Sequence, residues 1–131
     1  MSKLIVIIAM LGLASLVWAG GAAETTGTIS PADAQTLLKN DQSVILMDVR
    51  TADEFTAGHI AGAKLLPYDQ ITAATAAADI PAKDRTVVVY CRSGHRAGIA
   101  VKTLRELGYT KVLNLGGIVD WPYATVEGSA K

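Results

Sequence analysis

Apolar runs of strand length alternate with amphipathic stretches of helical period from residue 30 onward, and this alternation predicts strands interleaved with helices. Val44-Ile45-Leu46-Met47 is one such run, with Asp48 at its end, and residues 64–66 form a shorter one stopped by Pro67. The strongest run is Thr86-Val87-Val88-Val89-Tyr90. Its consecutive β-branched residues do not alternate with polar ones, the pattern of a strand buried on both faces of a parallel sheet. Residues 112–115 supply a further strand.

Between these runs the period lengthens. Ser30 reads as a helix N-cap, with Pro31 at the first helical position and Asp33 in the first turn, and Ala34, Leu37 and Leu38 make the apolar face. Residues 51–57 predict a short helix anchored by Phe55 and closed by Gly58, and residues 71–79 an alanine-rich helix ending before Pro81. Ala97, Ala100, Val101, Leu104 and Leu107 recur at helical spacing, with Lys102, Arg105 and Glu106 off the stripe and Gly108 at its end. Gly116-Gly117 then reads as a turn, and residues 118–126 as a last short helix interrupted at Pro122. Strands alternating with helices give an α/β fold around a parallel sheet, with no internal repeat and no second domain.

The N-terminus departs from this pattern. Lys3, the apolar stretch over residues 4–17 and the small-residue signal Val17-Trp18-Ala19 read as a signal peptide over residues 1–19, with an alternative end at residue 23. The stretch is shorter than the ~20 residues of a comfortable membrane span. Residues 20–29 read as a flexible lead, which leaves residues 30–131 as a single domain. The expected location is periplasmic or secreted, with no stable membrane association after cleavage.

The whole chain carries 12 basic and 12 acidic residues, and removal of residues 1–19 takes away only Lys3. That balance calls for neither nucleic acid nor an anionic membrane as partner. A mature chain of this size buries roughly two-thirds of its unfolded surface, enough for one core without disulfides and for a monomer. The lone cysteine is therefore informative. Unpaired in an exported chain, Cys91 reads as a working thiol or an intermolecular link, and the missing second cysteine argues against a Cys-x-x-Cys oxidoreductase.

Cys91 ends the strongest strand and directly precedes Arg92-Ser93-Gly94-His95-Arg96, where a helix begins. A sulfur there faces the first unpaired N–H groups of the helix with two arginines and a histidine nearby, conditions that favour the thiolate. Ser93 and Gly94 let the backbone curl into an anion-binding nest. In an open α/β sheet, sites form beyond the carboxyl ends of the strands, and Asp48 and Cys91 both fall at such ends. The alternative for Cys91 is a buried core cysteine followed by an ordinary loop. For Arg92 and Arg96 it is a solvated surface arginine.

These segments resemble the rhodanese-like sulfurtransferases. Cys91-Arg92-Ser93-Gly94-His95-Arg96 is similar to the family's six-residue loop. Asp48-Val49-Arg50, Glu54-Phe55 and Gly58-His59-Ile60-Ala61-Gly62-Ala63 resemble its first signature, and Gly116-Gly117 with Trp121 its closing segment. The resemblance covers roughly residues 30–123 and implies the rhodanese-like α/β fold, a small parallel β-sheet flanked by helices on both faces. It further implies a Cys91 persulfide that takes a sulfane sulfur from a small anionic donor such as thiosulfate and passes it to cyanide or a thiol. Neither metal nor organic cofactor is needed. Arg92, Ser93, Gly94, His95 and Arg96 become the substrate-binding set.

The remaining candidates are supporting ones. Asp48 is placed to orient the loop, and Arg50 and Glu54, four apart, are placed to pair with each other. His59 reads as locking a turn through its imidazole, and Trp121 as capping the core. Cys91, His59 and His95 match no common zinc spacing. Two other functions stay open: a persulfide carrier or regulatory binding module, and a rhodanese-like phosphatase or arsenate reductase, whose loop is one residue longer than the stretch from Cys91 to Arg96.

Overall fold

The computed structural model describes residues 25–130, so the expected signal peptide at residues 1–19 lies outside the described residues. The elements in chain order are β1 (Thr25–Thr28), α1 (Pro31–Asn40), β2 (Ile45–Asp48), α2 (Ala52–Ala57), β3 (His59–Ile60), β4 (Lys64–Leu65), α3 (Ala73–Asp79), β5 (Val87–Cys91), α4 (His95–Glu106), β6 (Lys111–Gly117) and β7 (Thr125–Val126). Five strands form a parallel sheet in the order β1-β6-β5-β2-β4. β3 and β7 form a separate antiparallel pair.

Local sequence explains the helix starts. The Ser30 hydroxyl accepts from Asp33 N at 3.1 Å, as its cap position predicts. Thr51 with Glu54 and Thr72 with Thr75 form reciprocal capping boxes that begin α2 and α3. The second box starts α3 at Ala73 rather than at residue 71, which frees Ile71 to enter the core.

β5 is central, and all five of its residues are buried. Its two-residue period sends Val87, Val89 and Cys91 to one face and Val88 and Tyr90 to the other. Ala76 and Ile80 of the α3 region and Ala97, Ala100 and Leu104 of α4 cover the Cys91 face. Ala34, Leu37 and Leu38 of α1, with Ile118 and Trp121, cover the opposite one. The sheet is thus sandwiched between helices, the α/β arrangement expected.

Three expectations are corrected. Residues 25–28 belong to no flexible lead: they form edge strand β1, paired from Thr25 with Lys111 to Thr28 with Asn114. Gly27 and Thr28 are exposed, ladder pairing with β6 places the strand at the sheet edge, and no apolar pattern announces it. Gly116-Gly117 is not a turn but the end of β6, where Tyr90 pairs with Gly116 and Cys91 with Gly117. The register shifts after Val89, so the strand bulges at Leu115. The last helix is absent as well. A single 3-10 turn spans Ile118–Asp120, and beyond Pro122 the chain extends into β7, paired with β3.

Candidate active site

β5 carries Cys91 to the carboxyl end of the sheet, and the chain must then reverse sharply into α4. Gly94 makes that reversal with φ 105°, a left-handed conformation that side chains rarely adopt. Its N–H donates to Cys91 Sγ at 3.0 Å. α4 begins at the next residue, so the unpaired N–H groups of its first turn and the positive end of its dipole lie at the loop. The sulfur forms the floor of this cradle, since Cys91 is only 1% exposed.

The loop is held from below by β6. A Cβ built on Gly117 would lie 2.6 Å from Ser93 Cα and closer still to the Arg92 carbonyl oxygen, so only glycine fits there. The same carbonyl accepts from Val119 N at 3.3 Å. A Cβ on Gly94 would in turn meet Gly116 Cα at 3.4 Å. Cradle and strand end are therefore packed backbone against backbone.

The ion pairs differ from the sequence expectation. Arg50 does not pair with Glu54. Its Nη2 donates to Asp48 Oδ2 at 2.7 Å and to the Gly58 carbonyl at 2.6 Å, while its Nε donates to Asp48 Oδ1 at 3.0 Å. Asp48 also accepts from Arg50 N at 2.9 Å and is fully buried, so it binds its own chain rather than orienting the sulfur loop. Burial opposes the charge on Arg50, but the Asp48 carboxylate outweighs it and raises the guanidinium above its ordinary value. Next to this pair, burial and then the Asp48 charge push the Tyr90 phenol well up, and its oxygen accepts from Ile60 N at 3.1 Å.

Glu54 instead reaches Arg96, the last residue of the loop. Arg96 Nη1 and Nη2 donate to Glu54 Oε1 and Oε2 at 2.7 and 2.9 Å, a bidentate pair bridging α2 and α4. Helix geometry explains the exchange. Glu54 is the third residue of α2, where its carboxylate caps Thr51 N and Thr51 Oγ1 and stays on the loop side of the helix, whereas Arg50 precedes the cap. The Arg96 hydrogen bonds draw the Glu54 carboxyl down to about 2, with burial opposing and Thr51 adding to the fall.

His59 locks a turn as expected: its Nδ1 is 2.8 Å from the Phe55 carbonyl, to which it donates, and its ring stacks on Phe55 at 3.6 Å. Trp121 is half-buried against the core, edge-on to Tyr123. Arg92, Ser93 and His95 are exposed. Among the described residues no three His, Cys, Asp or Glu side chains gather into a metal-binding group. A cleft of about 670 Å³ opens beside β4 along Phe55, His59, Lys64 and Val126, and Cys91 is not among the residues that line it.

The structure thus brings together Cys91, the loop through Arg96, and Glu54, while Asp48, Arg50 and His59 brace the ends of β2 and α2. Thr51 and Val119 were missed in the sequence. The Thr51-x-x-Glu54 spacing is a capping-box signal that was legible there, whereas the Val119 contact has no sequence signal.

The model of the rhodanese-like domain matches residues 30–123. The chain belongs to the rhodanese-like domain family. A sulfurtransferase of Allochromatium vinosum is 45% identical to it over 85 residues, covering 64% of this chain and 77% of that protein. The thiosulfate sulfurtransferase PspE of Escherichia coli is 38% identical over 82 residues, covering 63% of this chain and 78% of PspE. Some relatives are much longer: the match to the Mycobacterium tuberculosis protein described as the probable adenylyltransferase/sulfurtransferase MoeZ spans only 24% of that protein. Among solved structures, a rhodanese with anions from E. coli superposes with a TM-score of 0.61 at 35% identity, covering 65% of this chain and 99% of that one. The rhodanese-like domain described here thus shares its fold with a rhodanese and its sequence with sulfurtransferases.

Proposed function

We propose that this rhodanese-like domain is a thiosulfate-type sulfurtransferase working through a Cys91 persulfide. The observation that carries the reading is the cradle: a sulfur at a strand end, bonded by the Gly94 N–H at 3.0 Å and set against the start of α4. The Cys91 thiolate attacks the outer sulfur of thiosulfate, a new S–S bond forms, and the donor's own S–S bond breaks as sulfite leaves with the electron pair. The persulfide anion then gives its outer sulfur to cyanide or a thiol, and the Cys91 thiolate returns. No net oxidation occurs, and ping-pong kinetics follow from the two half-reactions. Donor, intermediate and leaving group are all anionic, which suits a ring of N–H donors at a helix start.

The test is intact mass spectrometry after thiosulfate treatment. The expected result is an added mass of one sulfur atom, removed by cyanide and absent from Cys91→Ser. An unmodified wild-type chain would overturn the reading, and hydrolysis of an aryl phosphate in its place would assign the loop to phosphate chemistry. The reading further takes the protein as an exported monomer, supported by the signal pattern of residues 1–19. No helix among the described residues is long and apolar enough to cross a membrane. An unprocessed N-terminus on exported material would overturn the cleavage.

A further inference from the structure

Two arginines flank the cradle, and the structure treats them differently. Both terminal nitrogens of Arg96 are engaged by the two carboxylate oxygens of Glu54. Glu54 is itself held by Thr51 N and Thr51 Oγ1 at 3.4 and 3.1 Å, so the guanidinium has a fixed seat. Its charge is also matched locally by a carboxylate. Arg92 has the opposite arrangement. Its backbone is locked by the Val119 N–H and the underlying Gly117, yet its side chain is exposed and makes no ion pair or hydrogen bond to any described residue.

We propose that the two arginines divide the work: Arg92 is the cation that captures the anionic donor, and Arg96, clamped by Glu54, is a positioning residue that fixes the start of α4 under the sulfur. The physical reason is charge compensation. A guanidinium already matched by a carboxylate at 2.7 and 2.9 Å presents little net field to an incoming dianion. An uncompensated one on an anchored backbone presents its full charge at the mouth of the cradle, and it attracts donors in a salt-dependent way. Glu54 thereby acts on the reaction without touching the substrate, by keeping Arg96 out of competition for the anion.

This division rests on Cys91 being the reactive group of a sulfurtransferase, and it can be tested without sulfur transfer. The probes are iodoacetate and iodoacetamide, an anionic and a neutral reagent that alkylate the same thiolate. Across about 6 Å of water-like dielectric, a unit charge on Arg92 favours the anionic reagent roughly threefold, and a dianion about tenfold. Arg92→Gln is therefore expected to lower the iodoacetate-to-iodoacetamide rate ratio at Cys91 about threefold at low salt. The same variant should raise the KM for thiosulfate about tenfold with kcat little changed. The double variant Glu54→Gln/Arg96→Gln, which removes the matched pair together, should slow both reagents alike and leave the ratio and its salt dependence as in the wild type, whereas Glu54→Gln alone, which leaves the Arg96 charge unmatched, should raise the ratio.

An unchanged ratio in Arg92→Gln overturns the proposal, as does a ratio that falls in Glu54→Gln/Arg96→Gln instead. If the alkylation ratios behave as expected while thiosulfate adds no sulfur to the wild type, the sulfurtransferase reading fails and the anion-capture assignment stands. Circular dichroism of each variant separates a lost fold from a lost charge, and Arg92→Lys should restore the ratio.

Discussion

Gly117 shows how much one missing atom decides at this site. With Ser93 Cα only 2.6 Å from where its Cβ would be, Gly117→Ala must push the sulfur loop off its seat. We expect a loss of about 1–3 kcal/mol of stability, the usual range for an overpacked site, together with a loss of at least roughly tenfold in the rate of sulfur loading. Urea denaturation and time-resolved mass spectrometry measure the two. Full loading at wild-type rate would show that the loop does not depend on the strand beneath it. Asp48 illustrates a different cost. Fully buried and holding the 6%-exposed Arg50, it leaves an uncompensated guanidinium if replaced, so Asp48→Asn should destabilise the fold by about 3–5 kcal/mol. Because neither Asp48 nor Arg50 contacts the sulfur, denaturation rather than kinetics at low temperature is the measurement that should respond to Asp48→Asn.

Helix α2 carries its information in its first turn. The capping box of Thr51 and Glu54 starts the helix, and the same carboxylate reaches across to α4 through Arg96. A pH dependence follows with a definite sign. Glu54 is held at about 2 in the folded chain, below its ordinary 4.5, so its contribution is fully present above pH 4.5 and is lost as pH falls toward 2. With both partners about a quarter exposed, the pair contributes on the order of 1 kcal/mol. Wild type and Glu54→Gln should therefore differ in urea stability at pH 6 and converge near pH 2. A gap that persists in acid would mean that Glu54 stabilises through packing alone. The sequence made the helix, its cap and its Phe55 anchor legible, because all three are local. It could not show that Glu54 turns to Arg96 rather than Arg50, since that choice depends on how α2 sits against a helix some forty residues later.

At the scale of the whole molecule, the sheet is closed on one side by an element that the amino-acid pattern does not announce. β1 pairs with β6, the strand that supports the loop, yet it lies outside the family match at residues 30–123. Removing residues 1–29 exposes the edge of β6 while leaving the β5–β6 pairing intact. We expect that truncation to lower stability by about 1–3 kcal/mol, the net of a few edge hydrogen bonds against the entropy of ordering a short strand. Persulfide formation at Cys91 should be retained. A truncated chain that is folded by circular dichroism but unable to take up sulfur would show that β1 tunes the loop through β6.

The order of elements from α1 to β6, β3 apart, the buried central strand, the cap at Ser30, and the position of Cys91 at a strand end were all determined by the sequence itself. Each depends on neighbours within a few residues or on a simple period of apolar side chains. Tertiary structure alone decided the role of the Gly116-Gly117 pair, the extended course of residues 125–126, the edge strand of threonines, and the exchange of partners among Asp48, Arg50, Glu54 and Arg96. These features arise from backbones in close approach and charges that meet across elements distant in sequence. Local propensity and spacing carry no information about which distant group arrives first, so only the packed sheet could set the cradle around Cys91, pair Arg96 with Glu54 and leave the exposed Arg92 without an ion pair among the described residues.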